Sequence, residues 1–125
     1  MIHHVSLGSN DLGRSLAFYD PVLAILQMRL ISSDERELVY GTAVYVLNII
    51  RPLDGHPALA GNGSHVAFGA HDRGMVNEFY RIALLHGGTC DGAPGIRAEY
   101  DRHYYGAFVR DPDGNKIEAL TYAAQ

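Results

Sequence analysis

Two histidines head two similar runs in this 125-residue chain, His4 in "HHVSLGSND" and His65 in "SHVAFGAHD". An imidazole ligates transition metals and carries protons near neutral pH. Two of them at equivalent places of a repeat point to one shared role, and such a pair normally takes a carboxylate to complete a charged metal centre. Glu118 is the candidate, mid-strand in "KIEAL" between Ile117 and Ala119, where a buried carboxylate needs a partner. His4, His65 and Glu118 would make a 2-His-1-carboxylate set with coordination positions left for water or substrate. The plain alternative is two structural histidines and a solvated glutamate.

The elements that must position these residues follow from the repeat. Setting His4 on His65 also pairs Val5 with Val66, Gly8 with Gly69, Asp11 with Asp72, Gly13 with Gly74, Phe18 with Phe79, Tyr19 with Tyr80 and Leu23 with Leu84, without a gap. Repeats at a fixed offset mark duplicated supersecondary units. In each copy the hydrophobic period changes from two to about 3.6. Val5 and Leu7, like Val66 and Phe68, share one strand face, leaving His4, Ser6 and Gly8, or His65, Ala67 and Gly69, on the other. Small residues beside each histidine leave room for a ligand. Asp11 and Asp72 are good helix N-caps, Pro21 is expected to bend or interrupt the first helix, and Gly87-Gly88 ends the second. Leu12, Leu16, Tyr19 and Leu23, then Val76, Phe79, Ala83 and Leu84, recur at helical spacing. Strands are expected at "MRLIS", "RELVYG" and "AVYVLNII", then at "GTC", "YYGAFVRD" and "NKIEALTY". Asp111-Pro112-Asp113-Gly114 should turn the last two into a hairpin.

The reading is an α+β chain forming a single domain over 1–125. Module one spans about 1–52, a Pro- and Gly-rich linker about 53–62, and module two about 63–125. Each module is βαβββ, and the pair is expected to make a curled eight-stranded mixed sheet around a cup, with one main helix per module outside. The segment 91–103 reads as a long polar loop, a common home for function.

Composition narrows the classes. Hydrophobic residues make 47%, charged residues 19%, and the net charge is -4. Scattered Lys and Arg on an acidic chain argue against nucleic-acid binding, and no apolar run approaches membrane-spanning length. The N-terminus enters a strand pattern rather than a signal peptide. A lone Cys90 forms no internal disulfide, so a reducing cytoplasm is the expectation. No helix start or nearby base is visible to activate its thiol.

The runs "HVSLGSNDLGRSLAFYDPVL", "HVAF" and "FVRDPDGNKIEAL" resemble the vicinal oxygen chelate superfamily of glyoxalases, bleomycin and fosfomycin resistance proteins and extradiol dioxygenases. The resemblance covers essentially the whole chain. It implies paired βαβββ modules curled round a divalent metal ion (Fe, Mn, Zn or Ni), with His4, His65 and Glu118 as ligands and Glu118 catalytic. It also implies a homodimer, its modules pairing within one chain or across two. Glyoxalase I-like members carry a fourth, carboxylate ligand on the last strand of the first module, where this chain has Val46 or Asn48. Asn48 offers only a weak oxygen. The remaining three look more like the dioxygenase triad, yet Phe108 stands roughly where a dioxygenase tyrosine is expected.

His103 and Tyr105, after the long loop, are candidate substrate contacts or proton donors, with packing as the alternative. Arg97 and Arg51 are candidates to clamp a substrate carboxylate bidentately, or plain surface charges. Tyr19 and Tyr80 read as core. His3 reads as facing solvent or an interface, and His71 and His86 as helix-end residues. Two functions remain in view. One is a small metal-dependent lyase, isomerase or dioxygenase that chelates two adjacent substrate oxygens and stabilises an oxyanion or enolate. The other is a metal-free small-molecule binder of the bleomycin-resistance kind.

Overall fold

The structure is a computed structural model and describes residues 1–124. Elements follow the order β1 (Val5–Gly8), α1 (Leu12–Ile25), β2 (Arg29–Ser33), β3 (Glu37–Gly41), β4 (Tyr45–Ile50), β5 (His65–Gly69), α2 (Arg73–Leu85), β6 (Thr89–Ile96), β7 (Tyr105–Arg110) and β8 (Lys116–Thr121). This is βαβββ twice. The eight strands do not form one continuous sheet: they divide into two four-stranded mixed sheets, β1-β4-β3-β2 and β5-β8-β7-β6. In each, the first strand runs parallel to the last and the other pairs are antiparallel.

Asp11 and Asp72 cap the helices as expected, each accepting a backbone N–H three residues on. Pro21 does not interrupt α1, which continues to Ile25. Proline inside a helix costs about 3 kcal/mol, but Phe18, Tyr19, Val22 and Leu23 around it are all fully buried, and that packing outweighs the local penalty. A second difference lies in β6, which runs to Ile96 through two register shifts and takes up half of the expected loop.

Helix faces and sheet faces close one core. Val76, Phe79 and Ala83 of α2 meet Ala107, Val109, Ile117 and Ala119 of the second sheet, while α1 covers Leu38, Tyr40, Leu47 and Ile49. The modules meet where α1 passes α2. There a Cβ on Gly88 would sit 2.8 Å from Phe18 Cε1, so only glycine admits the aromatic ring.

Polar contacts complete the join. The Asp111–Asn115 turn is a hydrogen-bonded hairpin. Its Asp111 carboxylate accepts from the Asp113 and Asn115 backbone N–H groups, from Asn115 Nδ2 and, at 2.5 Å, from the Tyr19 hydroxyl of α1. Asp113 accepts from Asn10 N–H and Arg14, and Asn115 Nδ2 also donates to Gly8 O. Module two's turn is therefore built into module one.

A phenylalanine at position 19 would leave a buried carboxylate oxygen short of a donor. Tyr19→Phe should lower stability by about 1–3 kcal/mol, whereas Tyr40→Phe, whose hydroxyl serves the exposed Asp20, should cost less than about 1 kcal/mol. Urea unfolding of the two variants checks this, and equal losses would refute the hub role of Asp111.

Candidate functional site

Strand alternation decides which residues share a face. On the second sheet Ile117, Ala119, Val109 and Ala107 point to α2. Glu118 and its pairing partners Ala67 and Phe108 point the other way, as do Lys116 with His65 and Leu120 with Gly106. This open face carries a buried charge: Glu118 is 1% exposed. An unpaired carboxylate there would be costly, and both its oxygens are engaged. Oε1 lies 3.1 Å from His65 Nε2, and Oε2 accepts from the Tyr104 hydroxyl. Gly106 makes this possible, since a Cβ there would come within 3.0 Å of Oε2 and 3.2 Å of the Tyr104 ring.

The walls are aromatic and cationic. His65, Glu118, Tyr100, Tyr104, Phe108 and Lys116 line a cavity of about 360 Å³. Lys116 Nζ lies 4.9 Å and the Arg97 guanidinium 5.5 Å from the Phe108 ring centre, within cation–π range. Burial, with the hydrogen bond and charge of Glu118 added, pushes the Tyr104 hydroxyl well above the ordinary tyrosine range. Tyr104 thus remains a neutral donor at any ordinary pH.

His4 and His65 line one groove, of about 510 Å³, with Val44 and Val46 on one side and Val66 and Phe68 on the other. They do not converge. The His4 ring stacks on Tyr45 at 4.1 Å, and its Nδ1 lies 2.9 Å from that of His3. Among the described residues no three His, Cys, Asp or Glu side chains come together as one ion would require.

Asn48 sits where register makes it the first-module counterpart of Glu118: Ser6 pairs Asn48 as Ala67 pairs Glu118. Val46 is thereby excluded from that role. Asn48 is 5% exposed, donates at 3.0 Å to Glu37, and its Oδ1 is buried without a partner. Nearby, burial and then the Glu37 charge raise the Tyr45 hydroxyl's pKa, against a hydrogen bond with Asn48.

Two expected substrate contacts lie elsewhere. Tyr105 turns to the helix side, where its hydroxyl donates to Asn77 and Arg73 sits over its ring. The reason is the strand's period of two: Tyr104, one residue earlier, takes the open face. His103 is held within its own turn, accepting from Arg102. Counting back by twos from Phe108 would have selected Tyr104. Glu37 and Lys116 gave no comparable signal, being charged residues at strand starts. Arg51 lies away from this face, at the far end of module one.

The sequence model of the Glyoxalase/Bleomycin resistance protein/Dioxygenase superfamily matches residues 1–119. A glyoxalase/bleomycin resistance protein from Albidiferax ferrireducens T118 is 36% identical, with 97% of this chain and 98% of that one covered and a TM-score of 0.90. The fold is shared at lower identity by a lactoylglutathione lyase from Agrobacterium tumefaciens (18%, 97% and 92% covered, TM-score 0.68). A genomically encoded fosfomycin resistance protein from Listeria monocytogenes shares it too (17%, 97% and 92%, 0.70). No curated protein matches the chain.

Tyr19, Tyr40 and Tyr104 all hold their protons more tightly than a free tyrosine, burial being the first cause in each. A raised folded-state pKa contributes stability that is complete below the unfolded value near 10 and is lost as pH rises through the folded values. Phenolate absorbance of the native protein should therefore stop short of all eight tyrosines until alkaline unfolding, with Tyr104→Phe removing one late group. Complete ionisation near pH 10 with the fold intact would contradict this.

Proposed function

This chain belongs to the Glyoxalase/Bleomycin resistance protein/Dioxygenase superfamily, and within it we propose a small metal-dependent enzyme that acts on a small molecule bearing two adjacent oxygens. The observation that supports it is the buried Glu118 carboxylate in contact with His65 on an open, aromatic-walled face.

The donor set fits a divalent ion in kind: an imidazole nitrogen and a carboxylate oxygen, His65 Nε2 and Glu118 Oε1, meet at 3.1 Å on an open face. Those two residues would hold the ion, with His4 as third ligand once its ring leaves Tyr45. Bound there, the ion would supply Lewis-acid stabilisation of negative charge developing on the substrate's oxygens.

The chain's own groups do the rest. Tyr104 orients Glu118 by holding Oε2, which turns Oε1 toward His65 and the ion. Oε1 would accept or return a proton at the reacting atom only when released from the ion. Phe108, Tyr100 and Tyr104 exclude water from one side, and Lys116 and Arg97 favour an anionic substrate. With Asn48 at Glu118's counterpart, the site has one carboxylate base rather than two. That favours chemistry needing a single proton acceptor, by a lyase, isomerase or oxygenase route. The family resemblance further supports a homodimer.

A second reading has its own support. The stack of His4 on Tyr45 beside an apolar groove of valines and Phe68 suits a metal-free binder of flat molecules.

Loading with Mn(II), Fe(II), Zn(II) and Ni(II), followed by elemental analysis, separates the two. The enzyme reading expects about one ion per chain with at least one of these metals. His65→Ala and Glu118→Gln should weaken retention beyond the 10–100-fold typical of outer-shell changes, His4→Ala less so. If wild type and variants retain equally little of every metal, the binder reading stands instead.

A further inference from the structure

Arg51 was a candidate anion clamp, and the site just described does not use it. It lies just past the C-terminal end of β4, beside Ser9 at the end of β1. Five residues of extended chain separate Ser9 from His4, roughly 16 Å. Glu37 pairs with Ile50, so the next pair outward is Arg36 opposite Arg51, and Arg51 N–H donates to Arg36 O at 2.9 Å. The backbone thus fixes two like charges directly across from each other, an arrangement that is destabilising on its own.

Arg14, Arg81 and Arg110 each reach a carboxylate. Among the described residues neither the Arg36 nor the Arg51 guanidinium has an ion pair or a hydrogen bond. Of the acidic groups nearby in the chain, Asp34 accepts the Arg36 and Glu37 backbone N–H groups, Glu37 accepts from Asn48, Asp54 accepts the His56 N–H and faces its ring at 3.7 Å, and exposed Glu35 has no side-chain partner among the described residues.

Both arginines are exposed and border an open cavity of about 340 Å³, with Asn10, His56 and the Pro52–Pro57 turn on its other sides. The turn is held by Gly55 N–H on Pro52 O, with Gly55 at φ +75, a conformation that favours glycine. A cavity of this size is at the lower end of small-molecule sites, and two guanidinium forks match the oxygens of a tetrahedral oxyanion.

We propose that this cavity is a second binding site, separate from the His65–Glu118 face, that takes a phosphate group between Arg36 and Arg51. The group is either free phosphate or the phosphoryl end of a small ester. The chain's net charge of -4 opposes general attraction of anions, so selective binding here depends on this local pair.

Calorimetric titration of metal-stripped protein with inorganic phosphate and with glycerol 3-phosphate, at constant ionic strength, tests the proposal. Wild type should bind saturably. Arg36→Gln and Arg51→Gln should each weaken binding about tenfold or more, the scale of one lost charge-assisted hydrogen bond. Arg29→Gln, which removes an arginine outside the cavity, should bind as wild type does. Tighter binding of the ester would identify a phosphorylated small molecule, and equal binding the free ion. Absence of saturable binding by wild type, or unchanged binding in both cavity variants, would overturn the proposal. Loss of binding in Glu118→Gln would overturn the separateness of the two sites.

Discussion

The arrangement rests on one buried carboxylate that lies outside the candidate site. Asp111 sits in the turn between β7 and β8 and accepts from four donors, three in its own turn and the fourth the Tyr19 hydroxyl on the helix of the other module. Each bond to a charged acceptor is worth about 1.5–3 kcal/mol, and a buried carboxylate short of donors would be penalised. The cheapest way to keep Asp111 satisfied is to keep α1 against the β7–β8 turn. That contact fixes the end of β8, and the register of β8 against β5 and β7 then sets which face Glu118 takes. Asp113 and Asn115 reinforce the same join through Arg14, Asn10 and Gly8 O.

Glu118 is the opposite kind of buried carboxylate. Its donors come from the solvent side of the sheet: the His65 side chain is 42% exposed, and Tyr104 stands between a long loop and β7. An ion or a substrate oxygen can replace the His65 contact without disturbing the core, because Ile117 and Ala119 hold the strand from the other face. Asp111 could not exchange partners in this way, since three of its four donors belong to its own turn. The difference between the two carboxylates therefore lies in who supplies the donors rather than in depth of burial.

Much of this was legible in the residues. The repeat, the helix caps and the hairpin turn are local signals, and each is realised in place: Asp11 and Asp72 accept the expected N–H groups, and Gly114 N–H closes on Asp111 O. Contact of His65 with Glu118 was expected only as part of a set with His4, from the need of two imidazoles for a carboxylate and from the family resemblance. What escaped was set by tertiary context. Pro21 is tolerated because four buried neighbours hold α1. The extension of β6 depends on bulges that only its partner β7 reveals. The choice of Tyr104 over Tyr105, by contrast, was within reach of alternation, since Tyr104 shares the parity of Gly106 and Phe108 and Tyr105 that of the helix-facing Ala107 and Val109. His4 illustrates the remaining limit, since the repeat equates it with His65 while a stack on Tyr45, a residue outside the repeat's matched run, holds it elsewhere.

The two modules also differ at a position the duplication makes comparable. Opposite Leu120 the second sheet has Gly106; opposite Ile50, the matching residue of the first, stands Glu37. Gly106 leaves space that the Glu118 carboxylate and the Tyr104 ring fill, so in module two the acceptor is central and its donors peripheral. In module one the order is reversed. The central Asn48 donates, the carboxylate of Glu37 accepts from the rim, and Asn48 Oδ1 is left without a donor. A central amide cannot take or hold a proton as a carboxylate does, whereas a rim carboxylate can attract a donor or cation but meets solvent while doing so. The same framework thus carries a central carboxylate on one face and a central amide on the other. How each is satisfied follows from exchanging glycine for glutamate on the third strand as much as from exchanging glutamate for asparagine on the fourth.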